Sequence, residues 1–343
     1  MDIRSMTYEE LQAYIKELGL PKFRADQVYQ WIHQKLVRSP EEMKNLPGEL
    51  RKKLAEDWIG VEEETRLVSK EDGTNKFLFR LWDNNLIESV WMPYKHGNSV
   101  CISSQVGCRM GCRFCASTID GVVRNLTASE MLDQVYAMQY AMGERVSNIV
   151  VMGSGEPLDN YDSLIRFLHL VSGERGLHIS QRNITVSSCG LVPQIRALAE
   201  EGLQITFALS LHASTDVERQ ELMPIARRYS LHETLEACQY YFEKTGRRVT
   251  YEYSLVQGVN DSPEHAKRLA ELLKPYRPCH VNLIPINPIK ERDFQRGTDK
   301  SIQNFKYLLE NNQINGTIRR GMGRDIDAAC GQLRRNYMQG SKS

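Results

Sequence analysis

The sequence predicts an α/β protein built around a parallel sheet, with a small helical unit and a β-hairpin ahead of it. From residue 99 onward, a short apolar run, a loop and a helical pattern of 10 to 16 residues recur six times. Such alternation forces parallel strands joined by right-handed crossovers. Before residue 95 that rhythm is absent. A third observation bears on function: each cluster of unusual polar residues follows a predicted strand, on the rim where open parallel sheets bind their ligands.

The first segment opens on Thr7-x-x-Glu10, a capping box that starts a helix running to Leu18, and Gly19-Leu-Pro21 ends it. Residues 24–37 and 49–58 give two further helical patterns. Residues 65–68, 76–82 and 86–91 alternate or are apolar, and Asp83-Asn-Asn85 between the last two is hairpin chemistry. We therefore expect a helical accessory domain over residues 1–60, a β-hairpin linker over 61–97 and the main α/β domain over 98–343.

In the repeating part the expected strands are 99–103, 148–152, 183–186, 204–209, 248–255 and 280–284. The expected helices are 128–141, 161–171, 192–201, 231–245, 263–273 and 300–311. Six units are too few to close an eight-stranded barrel, which leaves an open barrel-like sheet or a doubly wound one.

At 343 residues, 41% of them hydrophobic and 25% charged, the chain can bury a large core. No apolar run approaches the roughly 18 residues of a membrane span. Asp2, Arg4, Glu9 and Glu10 break up any signal-peptide core, so a cytoplasmic location with no membrane partner is expected. The formal net charge of +1 does not point to a nucleic-acid partner. From Arg319 onward, six Lys or Arg face two acids, a basic tail that is either solvated or in contact with phosphate.

Eight cysteines in such a chain suit ligands, catalysts or core packing better than a disulfide framework. Cys238 falls in a helical run and reads as packing, whereas Cys189 and Cys279 fit either use. Cys108, Cys112 and Cys115 form C-x3-C-x2-C directly beyond the first repeating strand. The odd count matters, because structural zinc takes four protein ligands while an iron-sulfur cluster on three thiolates keeps one iron open. His96 and His169, the nearest histidines on either side, lie at no zinc-site spacing.

Gly153-Ser-Gly-Glu-Pro157 lacks the lysine of a phosphate loop, and read alone it is either a tight turn or a ligand loop. Ser187-Ser-Cys-Gly190, Ser210-Leu-His212 and Pro285-Ile-Asn287 belong to the same rim. Read singly, Cys101 is a buried strand residue and Glu88, in Leu86-Ile-Glu-Ser-Val-Trp91, a solvent-facing strand position.

The triplet after the first strand of a six-unit sheet resembles the radical S-adenosylmethionine superfamily. Around it stand Ser103-Ser-Gln-Val-Gly107 and Arg124-Asn-Leu126, with Phe23-Arg-Ala25 and Trp31-Ile32 in the helical unit. Arg324-Asp-Ile-Asp-Ala-Ala-Cys330-Gly-Gln-Leu333 closes the pattern. Over nearly its whole length the chain thus resembles the RlmN and Cfr group, radical methyltransferases acting on an adenine ring carbon of ribosomal and transfer RNA.

That resemblance implies a partial (βα)6 barrel and one [4Fe-4S] cluster on Cys108, Cys112 and Cys115, its fourth iron open to S-adenosylmethionine. It implies cofactor contacts from Gly155, Glu156, Ser187, Ser210, Leu211, His212 and Asn287. Cys330 would carry the methyl group as S-methylcysteine, with two S-adenosylmethionine molecules used per turnover. Glu88 would accept the ring proton, and Cys101 would displace Cys330 and leave a transient disulfide. The implied substrates are adenine carbon 2 of 23S rRNA and an adenine in the anticodon loop of tRNA. The implied partner is a flavodoxin- or ferredoxin-type electron donor, and the enzyme is expected to be a monomer. Pro157 after Gly155-Glu156 fits the carbon-2 branch, although Ser154 stands where methionine is usual. The alternatives are a carbon-8 methyltransferase and a non-catalytic metal-dependent RNA-binding protein, the last of which has no need of a methylated Cys330.

Overall fold

The structure, a computed structural model, describes residues 2–287, 293–326, 333, 334 and 337. Three helices come first: α1 (Tyr8–Glu17), α2 (Phe23–His33) and α3 (Gly48–Glu56). The capping box expected at Thr7 is present, its hydroxyl accepting from Glu10 N and the Glu10 carboxylate accepting from Thr7 N. Then follow β1 (Glu62–Val68), β2 (Asn75–Arg80), β3 (Leu86–Tyr94) and β4 (Gly97–Cys101), each antiparallel to the one before.

A small hairpin, β5 (Gln105–Gly107) and β6 (Val122–Asn125), frames the three-cysteine loop. The repeating part then runs α4 (Ala128–Met142), β7 (Val146–Val151), α5 (Tyr161–Ser172), β8 (Ile184–Ser188), α6 (Val192–Glu200), β9 (Thr206–Ser210), α7 (Asp216–Leu222), α8 (Leu231–Thr245), β10 (Thr250–Leu255), α9 (Pro263–Leu273), β11 (His280–Pro285), α10 (Asp299–Asn311) and β12 (Gly316–Ile318). Capping boxes at Thr127 and Ser230 start α4 and α8, and left-handed Gly143 and Gly246 end them.

The main sheet has 10 strands in the order β1-β2-β3-β4-β7-β8-β9-β10-β11-β12. From β4 onward every pairing is parallel and the order never reverses. A doubly wound sheet needs a reversal, so that alternative is excluded; successive right-handed crossovers in one direction put the helices on one face and curl the sheet into an open barrel.

The hairpin expected to stand apart as a linker instead continues the main sheet, because β3 pairs with the otherwise unpaired edge of β4. The helical unit packs on α4. Arg4 pairs with Asp133, which also accepts from Val61 N at 2.6 Å, and His33 Nδ1 lies 2.9 Å from Tyr136 Oη. One hydrophobic core runs from Leu11 and Ile32 in these helices to Phe207 and Tyr253 in the barrel. Among the described residues no helix is long and apolar enough to cross a membrane.

Candidate functional site

The loop after β4 is built to hold the three cysteines in place. Cys108 N donates to Gly121 O at 2.9 Å, Cys115 N to Cys112 O at 3.1 Å, and Thr118 Oγ1 to the carbonyls of Cys112 and Cys115. Arg113 N reaches Leu222 O at the end of α7. Gly107 makes the turn possible: its φ is +77°, and a Cβ there would lie 2.0 Å from Gly121 O.

Cys108, Cys112 and Cys115 line one cavity of about 220 Å³ at the carboxyl ends of the barrel strands. Burial pushes the Cys108 thiol up to about 12 and the Cys112 thiol well above its ordinary value, and the charges of neighbouring cysteines add to both. Three thiolates are therefore stable together only beside strong positive charge, which bound iron supplies. Among the described residues no three His, Cys, Asp or Glu are grouped to hold a single ion. The fit to a cluster rests on the donor chemistry: three thiols on one short loop, facing a cavity.

The opposite wall of that cavity comes from the loops after β7, β8 and β9. Gly153 and Gly155 press on the β4 loop so closely that a Cβ on either would lie 2.7 Å from backbone. Glu156 is buried, and its carboxylate accepts from Leu158 N at 3.1 Å and Cys189 N at 2.8 Å, tying two rim loops together. Burial pushes its pKa up while those N–H groups hold it down.

Ser187 and Ser210 face the cavity with their hydroxyls 3.4 Å apart. His212, at φ +58°, accepts from Ser254 N at Nδ1 and meets Phe114 edge to face. Burial, with the nearby Arg219 guanidinium, pushes its pKa down to about 3, so it is a neutral imidazole carrying its proton on Nε2. Leu211 is core: its side chain is buried and does not line the cavity.

A second cavity of about 240 Å³ adjoins the first, sharing Met152, Ile284 and Arg319 with it. Cys101 and Asn287 line this second cavity, so Asn287 stands apart from the other expected cofactor contacts. Arg319, Arg320 and Arg324 of the basic tail line it as well, together with Arg296. A larger cavity of about 610 Å³, between the N-terminal helices, the hairpin and α4, contains none of the cysteines.

Glu88 is buried rather than solvent-facing, because β4 covers the edge of β3 and the site face of the sheet is itself enclosed. Its carboxylate pairs with Lys76 Nζ at 3.0 Å and accepts from Arg334 N at 2.6 Å. Cys330 lies outside the described residues. Described residues on either side of it are held to the hairpin: Asp325 by Ser69 Oγ and Lys70 N, and Arg334 by Glu88.

Two charged residues escaped the sequence reading. Lys76 sits in an apolar strand run, where an unexplained charge opposite the Glu88 run was the available signal. Arg219 is fully buried and donates to the carbonyls of Cys189, Ser210 and Leu211, bracing the rim loops. Cys238 is core packing, as expected, and Cys189 packs against Cys112.

Comparison with known proteins fits this arrangement. A model of the radical SAM superfamily matches residues 102–273, and one of the ribosomal RNA large subunit methyltransferase N-terminal domain matches residues 1–59. The probable dual-specificity RNA methyltransferase RlmN of Lachnoclostridium phytofermentans is 62% identical over 339 residues, which cover 98% of this chain and 95% of that protein. This chain belongs to the RlmN family of radical SAM RNA methyltransferases.

A second RlmN relative, from Lachnospira eligens, is 60% identical over 98% of this chain and 97% of its own length. The fold agrees with the crystal structure of a radical SAM methyltransferase from Sphaerobacter thermophilus, at a TM-score of 0.92 and 42% identity, covering 97% of this chain and 98% of that one. An RlmN-family enzyme is a radical SAM methyltransferase, so an iron-sulfur cluster and S-adenosylmethionine are implied for this chain.

Proposed function

We propose that this RlmN-family enzyme methylates carbon 2 of adenine in 23S rRNA and in the anticodon loop of tRNA, acting in the cytoplasm as a monomer. Cys108, Cys112 and Cys115 hold a [4Fe-4S] cluster, and Gly155, Glu156, Ser187, Ser210 and His212, which line the same cavity, bind S-adenosylmethionine against it, with Leu211 packed in the core behind them and Asn287 in the adjoining cavity. When bound, cluster and cofactor supply a 5′-deoxyadenosyl radical by reductive cleavage of the sulfonium, the electron coming from a flavodoxin- or ferredoxin-type donor. The cysteine loop and the β7 loop bind and orient; neutral His212 stacks and hydrogen-bonds without adding charge.

Carbon 2 of adenine lies between two ring nitrogens and is electron-poor, so it does not attack a sulfonium methyl as an amine would. Cys330 carries the carbon instead and becomes joined to the ring. Glu88 then takes the ring proton and the odd electron of the adduct leaves to the oxidised electron donor. The Cys101 thiolate attacks Cys330 sulfur, the carbon–sulfur electron pair passes to the methylene carbon, which takes up a proton to become the methyl group, and a Cys101–Cys330 disulfide is left for a thiol reductant to reset. Residues 1–60 and the arginines at the mouth of the second cavity grip the RNA backbone.

One observation carries this reading: Cys101 and the three cluster cysteines line adjoining cavities with Met152 shared between them. Anaerobic reconstitution with iron and sulfide, incubation with 23S rRNA fragments and nucleoside mass spectrometry test it. The expected product is 2-methyladenosine, with 5′-deoxyadenosine formed alongside. A product methylated only at carbon 8 overturns the carbon-2 assignment, and RNA binding without any methylated nucleoside overturns catalysis.

A further inference from the structure

The site face of the sheet carries a row that the reaction just described uses only in part. Lys76 on β2 is opposite Val90 on β3, and Val90 is opposite Cys101 on β4. Glu88 is two residues from Val90 on the same strand, so Lys76, Glu88 and Cys101 all project from one face. Lys76 is 0% exposed, and its ammonium lies 3.0 Å from Glu88 Oε2. The other carboxylate oxygen accepts from Arg334 N.

A buried lysine is an expensive residue. Taking an ammonium and a carboxylate out of water costs several kcal/mol per ion, and a well-packed apolar pair is often as stable or more so. Stability therefore gives no reason for Lys76. Geometry does: Lys76 holds one oxygen of the carboxylate and Arg334 N the other, and donors on both sides fix its orientation.

We propose that Lys76 is a positioning residue for proton removal from the RNA adduct, fixing the Glu88 carboxylate toward the cavity that Cys101 lines. The bond that breaks is the adenine C–H. Its electron pair stays with the ring, whose odd electron leaves to the oxidised electron donor, and the proton ends on Glu88 while Lys76 keeps its charge. In the displacement that follows, the carbon–sulfur pair goes to the methylene carbon, which takes up a proton to become the methyl group. This inference rests on Glu88 being the proton acceptor, which the test must separate from it.

The variants are Lys76→Met, Lys76→Arg, Glu88→Gln and Lys76→Met/Glu88→Gln, prepared as cluster-loaded full-length enzyme and checked by circular dichroism. The double variant holds no buried charge from this pair, so it keeps the test open if Lys76→Met alone folds poorly. Methylated RNA, 5′-deoxyadenosine and covalent RNA–protein adduct on a denaturing gel are measured together. General base loss typically costs about 10²-fold or more, so Glu88→Gln is expected to lose that much methylated RNA. Lys76→Met is expected to lose on the order of tenfold, with adduct accumulating and 5′-deoxyadenosine formation retained. Lys76→Arg restores most of the product, and the double variant is no slower than Glu88→Gln.

A folded Lys76→Met enzyme with wild-type product overturns the inference, as does a double variant much slower than Glu88→Gln. Wild-type turnover by Glu88→Gln overturns the reading of Glu88 itself. Loss in Glu88→Gln without loss in Lys76→Met overturns only the role of Lys76.

Discussion

His33 on α2 is buried against Tyr136, and burial, joined by the nearby Arg4 charge, pushes its pKa down to about 3 from an ordinary 6.5. The folded state thus refuses a proton that the unfolded chain accepts. Stability from this residue is complete above pH 6.5 and falls as pH drops from there toward 3, at no more than about 1.4 kcal/mol per pH unit. His33→Gln, which can still meet the Tyr136 hydroxyl, is expected to flatten the pH dependence of urea unfolding between pH 6 and 4. Equal slopes for variant and parent would contradict this. Residue-scale legibility depended on spacing within one loop. Cys108, Cys112 and Cys115 announce themselves because their C-x3-C-x2-C spacing is local. Lys76 and Glu88 do not, because their partnership is set by a register between two strands, and each alone reads as an ordinary strand charge.

The cysteine loop is an element in its own right, pinned at its base by β5 and β6. A side chain at Gly107 would collide with Gly121 O, whereas one at Gly121, with φ +70°, would meet nothing within 4 Å. Gly121→Ala therefore costs only its left-handed backbone, about 1–2 kcal/mol, while Gly107→Ala must spread the hairpin. Gly107→Ala is expected to keep its far-ultraviolet circular dichroism and lose most of its iron after anaerobic reconstitution, with Gly121→Ala retaining most; equal iron in both would remove the hairpin from the account. The elements legible in the sequence were long enough to show a period, such as α4, α8 and β10. β5, β6 and β12 are three or four residues each, shorter than two alternations, and α7 hides in a loop after β9. Their placement is decided by tertiary contact, which local pattern does not encode.

At the scale of the whole molecule, the chain leaves β12 at one edge of the sheet and returns to the hairpin at the other. Along the way Met322 packs with Val90 and Cys101, Gly323 N donates to Asp72, and Asp325 accepts from Ser69 and Lys70. Farther on, Arg334 N meets Glu88, and the Tyr337 hydroxyl bonds Glu64, itself paired with Arg80. Of this strap, Arg319, Arg320, Met322 and Arg324 line the cavity that Cys101 lines, while the cavity of the three loop cysteines is walled by the barrel loops, with Arg319 as the strap's contribution. The two cavities can therefore be uncoupled. Ser69→Ala/Asp325→Ala removes anchors of the strap without touching a cysteine loop. Reductive cleavage of S-adenosylmethionine should continue near the parent rate, while methylated RNA falls on the order of tenfold because the strap no longer holds its groups against the base. The informative quantity is methylated nucleoside per 5′-deoxyadenosine released, measured on one sample. A parallel fall in both would mean that the strap supports the whole barrel; a fall in the ratio alone places its work at the second cavity.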